Sequence, residues 1–390
     1  MTESSSPRLH VVDALRGFAI VSIMLLHNIE HFDFYFTPAG QPQWLIGLNQ
    51  VIWDSLFFLF GGKSYAIFAL LFGLTFFIQS DNQARKGNDF RARFAWRLVL
   101  LLVFGLINSA FYQGDILTIY AILGFALIPV AKLSNKTVFW IAVLLMLQPY
   151  EWFNVFSGLQ HPEMKMSNPA SWAYFGKSSA YLPEKSIINT WVGNLTNGKM
   201  AVIYWSWEAG RVFQTISLFM LGMLAGRKKL FAASEDNNRF WLRTLIFAAI
   251  AFVPLFILKN GLPTWLGSEA IRRPLVTIVT TWSNLAFMLV LVSAFFIVYE
   301  KFSGRVLNMF NAFGKMSMTN YIMQSIVGTS IYYGFGLGLY QYTGATYCLL
   351  IGIALAVLQG LFSKWWMSNH RQGPLEGIWH KLTWMNIKKD

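Results

Sequence analysis

Long apolar runs recur along this chain, separated by short polar turns. Those near 17–36, 62–79, 95–111, 116–131, 138–156, 208–226, 243–258, 275–299, 316–338 and 346–363 approach the ~20 residues a helix needs to cross the hydrocarbon layer. The pattern predicts an all-α, polytopic transmembrane helix bundle of about ten spans. Trp44 to Phe60 is apolar as well, and Gly61 and Gly62 separate it from the next run. It reads as a half-helix, an interfacial segment or an eleventh crossing. The sequence divides into a transmembrane half (1–156), a long loop rich in Trp, Tyr, Asn, Ser and Pro (157–206), and a second transmembrane half (207–390). A loop of that length is usually functional or disordered, and its aromatic content favours a folded lid on the outer face.

Composition removes the soluble alternatives. Only 13% of the 390 residues are charged and 55% are hydrophobic, against about 25% charged in a typical soluble domain. The net charge of +13 would suit a nucleic-acid partner, but the basic residues sit in the short loops between apolar runs. Membrane insertion selects that distribution, so membrane lipids are the expected partner and nucleic acid is not. With ten alternating spans, Arg85, Lys86, Arg91, Arg93, Arg97, Arg227, Lys228 and Lys229 share one side, which puts both termini in the cytoplasm. The first run carries Asp13 and Arg16 and lacks a small-residue cleavage site, so no cleavable signal peptide is expected. The single cysteine, Cys348, excludes an internal disulfide. Gly222 with Gly226, and Gly334 with Gly338, have the spacing of close helix–helix packing; a homodimer is a further expected partner.

Polar groups at membrane depth carry the functional signal, because each is costly there unless it is paired or faces a cavity. In the first span Asp13 and Arg16 lie three apart and can pair. His27 returns to nearly the face of Arg16, about 16 Å further along, and Glu30 and His31 continue the stripe. Such a stripe reads as a cavity wall, or as a histidine packed for structure alone. Lys63 follows two glycines, and either snorkels to the interface or meets a substrate. Asp115 opens a helix after Gly114, where it caps the helix or holds a histidine such as His27. Glu208 and Arg211, three apart, read as an ion pair. No P-loop, dinucleotide fingerprint, HExxH or GxSxG occurs. His27 and His31 have no third ligand in the sequence pattern, so no metal is expected.

The strings DALRGFAI followed by HN, GKSYAIFALLFG, GDILTIYAILG, FGKMSMTNYIMQSIVGTSIYYGFGLGLY and GPLEGIWHKLTW resemble the YeiB-like family of bacterial inner-membrane proteins, with its C-terminal domain of unknown function 418. The N-terminal pattern, here Asp13, Arg16, Gly17 and Asn28, is similar to that of the transmembrane acyltransferases of the heparan glucosaminide N-acetyltransferase type. The resemblance implies the bacterial cytoplasmic membrane and transfer of an acyl group from cytoplasmic acyl-CoA to an outer-face hydroxyl or amine of a small molecule or glycan. Asp13, Arg16, Arg93, Arg97 and Lys315 are then expected to meet acyl-CoA. His27 acts as general base, Asn28 donates to the oxyanion, and Asp115 or Glu30 holds the imidazole. His31, Lys63, Glu208 and Arg211 fall to the acceptor. The acetyltransferases carry a catalytic histidine in the region that here reads TPAGQPQW, so His27 or His31 has to take its place. The alternatives are a transporter or exporter of a small solute or lipid, and a non-catalytic membrane scaffold or lipid-binding protein.

Overall fold

A computed structural model describes residues 9–302 and 307–385, and these are helical with no strand among them. The first half contains α1 (His10–Ile29), α2 (Gln43–Phe60), α3 (Ser64–Ala84), α4 (Arg91–Phe111), α5 (Leu117–Gly124), α6 (Leu127–Val130), α7 (Asn135–Met146) and α8 (Pro149–Gln160). The lid region contributes α9 (Ala170–Gly176), α10 (Ser178–Tyr181), α11 (Ile187–Gly193), a π-helical turn and α12 (Lys199–Glu208). The second half follows with α13 (Arg211–Arg227), α14 (Glu235–Trp265), α15 (Glu269–Lys301), α16 (Met309–Lys315), α17 (Ser317–Tyr332), α18 (Ala345–Asn369) and α19 (Pro374–Trp384).

Six helical runs among the described residues are long and apolar enough to cross a membrane, or up to eight if each bent pair counts as one span. One of the six, Gln43–Ala84, joins α2 to α3. The bent pairs are α7 with α8 and Ile187–Glu208 with α13. Two predicted crossings, 116–131 and 316–338, are absent from that set. α5 and α6 are separated by a short turn, and α17 stops at Tyr332 before an irregular loop. Gly334 and Gly338 lie in that loop, so they do not pack helices as the spacing suggested. Gly334 instead donates its N–H to Leu182 of the lid.

The two tightest helix crossings explain which glycines matter. A Cβ on Gly73 would overlap the Phe219 carbonyl, and one on Gly222 would overlap the Leu70 carbonyl, so α3 and α13 touch backbone to backbone. Gly17 and Gly314 do the same for α1 and α16 against Phe310 and Asp13. Close approach through small residues is how helices associate where lipid offers no hydrophobic gain. Gly226 packs its open face on the Phe77 ring, as its spacing from Gly222 predicted.

α1 is the axis of the site. It begins ahead of the predicted 17–36 span because Asp13 and Arg16 pair at 3.1 Å and Arg16 also donates to Thr75 Oγ1, which lets both charges enter the helix. It ends earlier than predicted because the chain turns left-handed through His31, Phe32 and Asp33, with φ of 48°, 56° and 64°. Each such non-glycine residue costs on the order of 1 kcal/mol, so the turn needs external clamps. Thr343 holds the His31 ring through its carbonyl at 2.8 Å, the Tyr333 hydroxyl donates to the Phe32 carbonyl at 2.5 Å, and Gln113 donates to the Asp33 carbonyl at 3.2 Å.

Candidate functional site

A cavity of about 940 Å³ opens beyond the C-terminal end of α1, lined by that helix, the ends of α2 and α3, the 112–116 turn, the lid, and α13 to α15. His27, Glu30, Asp33, Asp54, Lys63, Arg211 and Lys259 bring their ionisable groups to its wall, and Tyr65, Tyr112, Trp172 and Trp205 supply aromatic faces. A cavity of this size with a few convergent polar groups is the default binding site of a fold. Trp172, Phe175, Val202 and Trp205 come from the 157–206 segment, which thus forms part of the cavity wall.

The end of α1 presents the acidic side. Tyr35 donates to Glu30 at 3.1 Å. Glu30 and Asp33 both lie in the turn beyond the helix. Burial first, and then Asp33, push the Glu30 carboxyl well above the usual carboxylate range. Burial raises Asp33 too, opposed by the Tyr112 hydroxyl. The His27 ring packs on Tyr112 (4.7 Å between centroids), Phe32 (5.6 Å) and Tyr321 (6.5 Å). Its Nδ1 is buried and bonded to no group among the described residues. Rings, not a carboxylate, hold this imidazole.

Facing it is a basic side. Lys63 is only 6% exposed, donates weakly to the Phe57 carbonyl at 3.4 Å, and lies over the rings of Phe58 and Phe287. It is therefore not a snorkelling lysine. Arg211 donates to the Tyr65 hydroxyl and to Gln214 (3.2 Å), and stacks over Tyr65 and Trp205 at 4.4 and 5.3 Å.

Several expected partnerships are replaced by others. Glu208 does not pair with Arg211. It accepts from the Ala170 N–H (2.7 Å), the Ser171 N–H (3.3 Å) and the Ser171 hydroxyl (2.6 Å), and so fastens the start of α9 to the end of α12. Asp115 does not reach His27. Its oxygens accept from Asn108 (2.8 Å) and from the Thr118 N–H (2.9 Å), the capping role, and pair with Lys199 at 3.6 Å. Asn28 is fully buried, donates one N–H to the Met24 carbonyl at 2.8 Å and accepts from the Tyr332 hydroxyl at 2.9 Å, and it does not line the large cavity. His31 is spent on Thr343 and on the Tyr332 ring. In each case the true partner lies far along the sequence.

A second, smaller recess of about 210 Å³ opens at the opposite end of α1. Arg16, Thr75, Gln79, Arg97, Lys315, Glu376 and Trp379 line it. Arg97 lies over Trp379 at 4.0 Å. Arg93 does not line it, since its guanidinium donates to the Thr383 carbonyl at 2.6 Å and rests on Trp384. The sequence reading missed Glu376, which accepts from the N–H groups of Met318 and Thr319 and from the Thr319 hydroxyl, and so caps α17 from α19. It also missed Asp33, Lys259 and Tyr65; only the first, three residues from Glu30 in the same stripe, left a readable signal. Among the described residues no three His, Cys, Asp or Glu groups converge as a metal site.

Comparison with known proteins addresses the family. Residues 225–386 match the family described as "Protein of unknown function (DUF418)". That part of the chain is similar to the DUF418 domain. The likeness extends well beyond that domain. An uncharacterised protein of Bacillus subtilis (strain 168), YxaH, is 29% identical, with 98% of this chain and 96% of that protein covered. The uncharacterised YeiB of Escherichia coli (strain K12) is 26% identical, with 95% of each covered. The resemblance to YeiB-like DUF418 proteins therefore holds along nearly the whole chain. No solved structure matches it.

Proposed function

We propose that this DUF418 protein is a membrane-embedded acyltransferase that moves an acyl group from cytoplasmic acyl-CoA to a hydroxyl or amine on the far side of the membrane. The observation that carries the reading is the pairing of the two recesses. A cationic cleft with Arg16, Arg97 and Lys315 opens at one end of α1, the larger cavity with His27 opens at the other, and the Tyr120 ring lines both. The small cleft suits the stem of a pantetheine arm whose thioester end passes Tyr120 toward His27, with the nucleotide phosphates held outside it by the same cations.

In the proposed step the acceptor oxygen or nitrogen attacks the thioester carbonyl. The new C–O or C–N bond forms as the C–S bond breaks, and His27 takes the acceptor proton and returns it to the departing thiolate. Asn28, which does not line the large cavity, is assigned no part in that step. The donor is a substrate here, and the reading calls for no metal.

Ten crossings with both termini in the cytoplasm accord with this direction of transfer. α5 with α6 leads from the 112–116 turn, beside the large cavity, to Lys132, which pairs with Asp89 at 3.3 Å. α17 leads from Glu376 to Tyr332 beside Asn28. With the six apolar runs, and each bent pair taken as one span, these two segments would bring the proposed count to ten. Arg227 donates to the carbonyls of Ala131 and Leu133, which gathers basic loops at the end of the bundle that holds Arg16 and α19. The positive-inside rule makes that end cytoplasmic, in the bacterial inner membrane that the relatives suggest.

The test is transfer from radiolabelled acetyl-CoA supplied to inverted membrane vesicles containing the protein. Label should appear in extractable product, and His27→Ala should abolish it while the protein remains folded. Labelling that persists in His27→Ala removes that residue from the chemistry. No labelling above empty vesicles contradicts the reading and favours solute passage through the large cavity.

A further inference from the structure

Three cations gather on one side of the large cavity, and Asp54, the α2 carboxylate that also lines it, accepts from Gln50 and pairs with none of them. Lys63 stands within electrostatic reach of Arg211 and Lys259, and all three line the cavity. No ion pair joins any of them to an acidic group among the described residues, and the Glu30–Asp33 pair belongs to the α1 side. A buried cation without a counter-ion is costly, and Lys63 is 94% buried with only a 3.4 Å contact to a carbonyl. The Nε of Arg211 is likewise buried without a partner among the described residues. A glycine brings the backbone close to two groups here. Gly62, at φ +76°, is so close to its neighbours that a Cβ would lie 2.5 Å from the Asn284 amide nitrogen and 3.2 Å from Arg211 Nη2.

The wall beside these cations is made of rings. Phe58 of α2 meets Phe252 and Phe256 of α14 and Phe287 of α15 at centroid separations of 6.0, 5.6 and 5.2 Å. α14 is the least covered of the long helices, with 11% of its most apolar window buried, so in a membrane this aromatic seam stands between the cavity and lipid. α14 and α15 pack closely on each other, so the seam can open only on the α2 side, at Phe58.

We propose that Lys63, Arg211 and Lys259 form a phosphate subsite, and that the acceptor is an amphiphile whose phosphate ester enters past the Phe58 seam. This rests on the acyl-transfer reading only for the word acceptor; the subsite itself is a binding claim. Three cations and the Asn284 amide offer a phosphate charge-assisted hydrogen bonds, while the apolar rings accommodate the chains that follow it.

Binding of dihexanoyl phosphatidylethanolamine to the purified full chain in detergent tests the proposal, with dihexanoylglycerol and glycerophosphoethanolamine as controls. The phospholipid should bind, and Lys63→Met and Lys259→Gln should each weaken it about tenfold, the effect of losing one hydrogen bond to a charged group. Lys259→Gln, on the sparsely packed α14, keeps the test valid if Lys63→Met fails to fold. Equal binding of dihexanoylglycerol, or no effect of either variant, overturns the subsite. Glycerophosphoethanolamine binding as tightly as the lipid retains the phosphate subsite and assigns it a soluble ligand, which overturns entry through the seam. Because the probe needs no donor, its binding beside an absent CoA response would contradict acyl transfer and leave the subsite standing.

Discussion

The His27 imidazole rests 4.7 Å from the Tyr112 ring, and its Nδ1 is buried with no hydrogen-bond partner among the described residues. A histidine kept for packing would ordinarily satisfy both ring nitrogens, since a buried polar atom left unpaired costs about 1–3 kcal/mol. Replacing His27 with Phe should therefore leave the thermal midpoint in detergent unchanged or raised, while acyl transfer falls at least ~100-fold, the lower bound of general-base catalysis. A loss of stability in place of activity would return His27 to the packing role.

Asn28 makes the opposite prediction. Its amide joins α1 to α17 through Tyr332, and Asn28→Ala would take away the oxygen to which the buried tyrosine hydroxyl donates, leaving it only the weakly bonding Cys348 thiol. Thermal unfolding should register a loss of about 1–3 kcal/mol, with any residual folded protein still binding CoA.

Glu208 fastens the lid. Glu208→Gln keeps the shape but exchanges a charged acceptor for a neutral one against the Ala170 and Ser171 donors. Amide hydrogen exchange in 170–181 should accelerate, and the exchange of α13 should not. Protection that stays uniform would show that the lid is held by its aromatic packing alone.

The Glu30–Asp33 pair gives stability a pH dependence of known sign. Both carboxyls are raised in the folded protein, so between about pH 4, where an unfolded carboxyl ionises, and the folded pair's higher range, the folded state holds more protons. Stability then falls as pH rises through that window. Glu30→Gln should flatten the fall when thermal midpoints are measured across it; an unchanged slope would mean that the pair is already ionised without penalty.

Hydropathy made the apolar helices and the pairing of Asp13 with Arg16 legible, since both depend on residues close in sequence. The span count was less accessible. α5 with α6, and α17, are short or interrupted, and only their partners at either end, Asp89 with Lys132 and Glu376 with Thr319, mark where they lead. Partner assignments failed where the partner lies far along the chain and nothing in the sequence marks it. Arg211 left Glu208 for Tyr65, and Asp115 left His27 for Lys199. The left-handed turn at His31–Asp33 had no sequence signal either, because no glycine marks it and its clamps come from Gln113, Tyr333 and Thr343.

The central claim is that a donor arrives at the Arg16 end of α1. The direct measurement is the thermal midpoint of the purified protein against increasing CoA and acetyl-CoA, repeated with Lys315→Ala, whose side chain lines the cleft. A ligand that binds only the folded state raises the midpoint with concentration. The account predicts a saturable rise for the wild type that Lys315→Ala shifts to higher concentration. A folded protein whose midpoint does not move at any CoA concentration would contradict it.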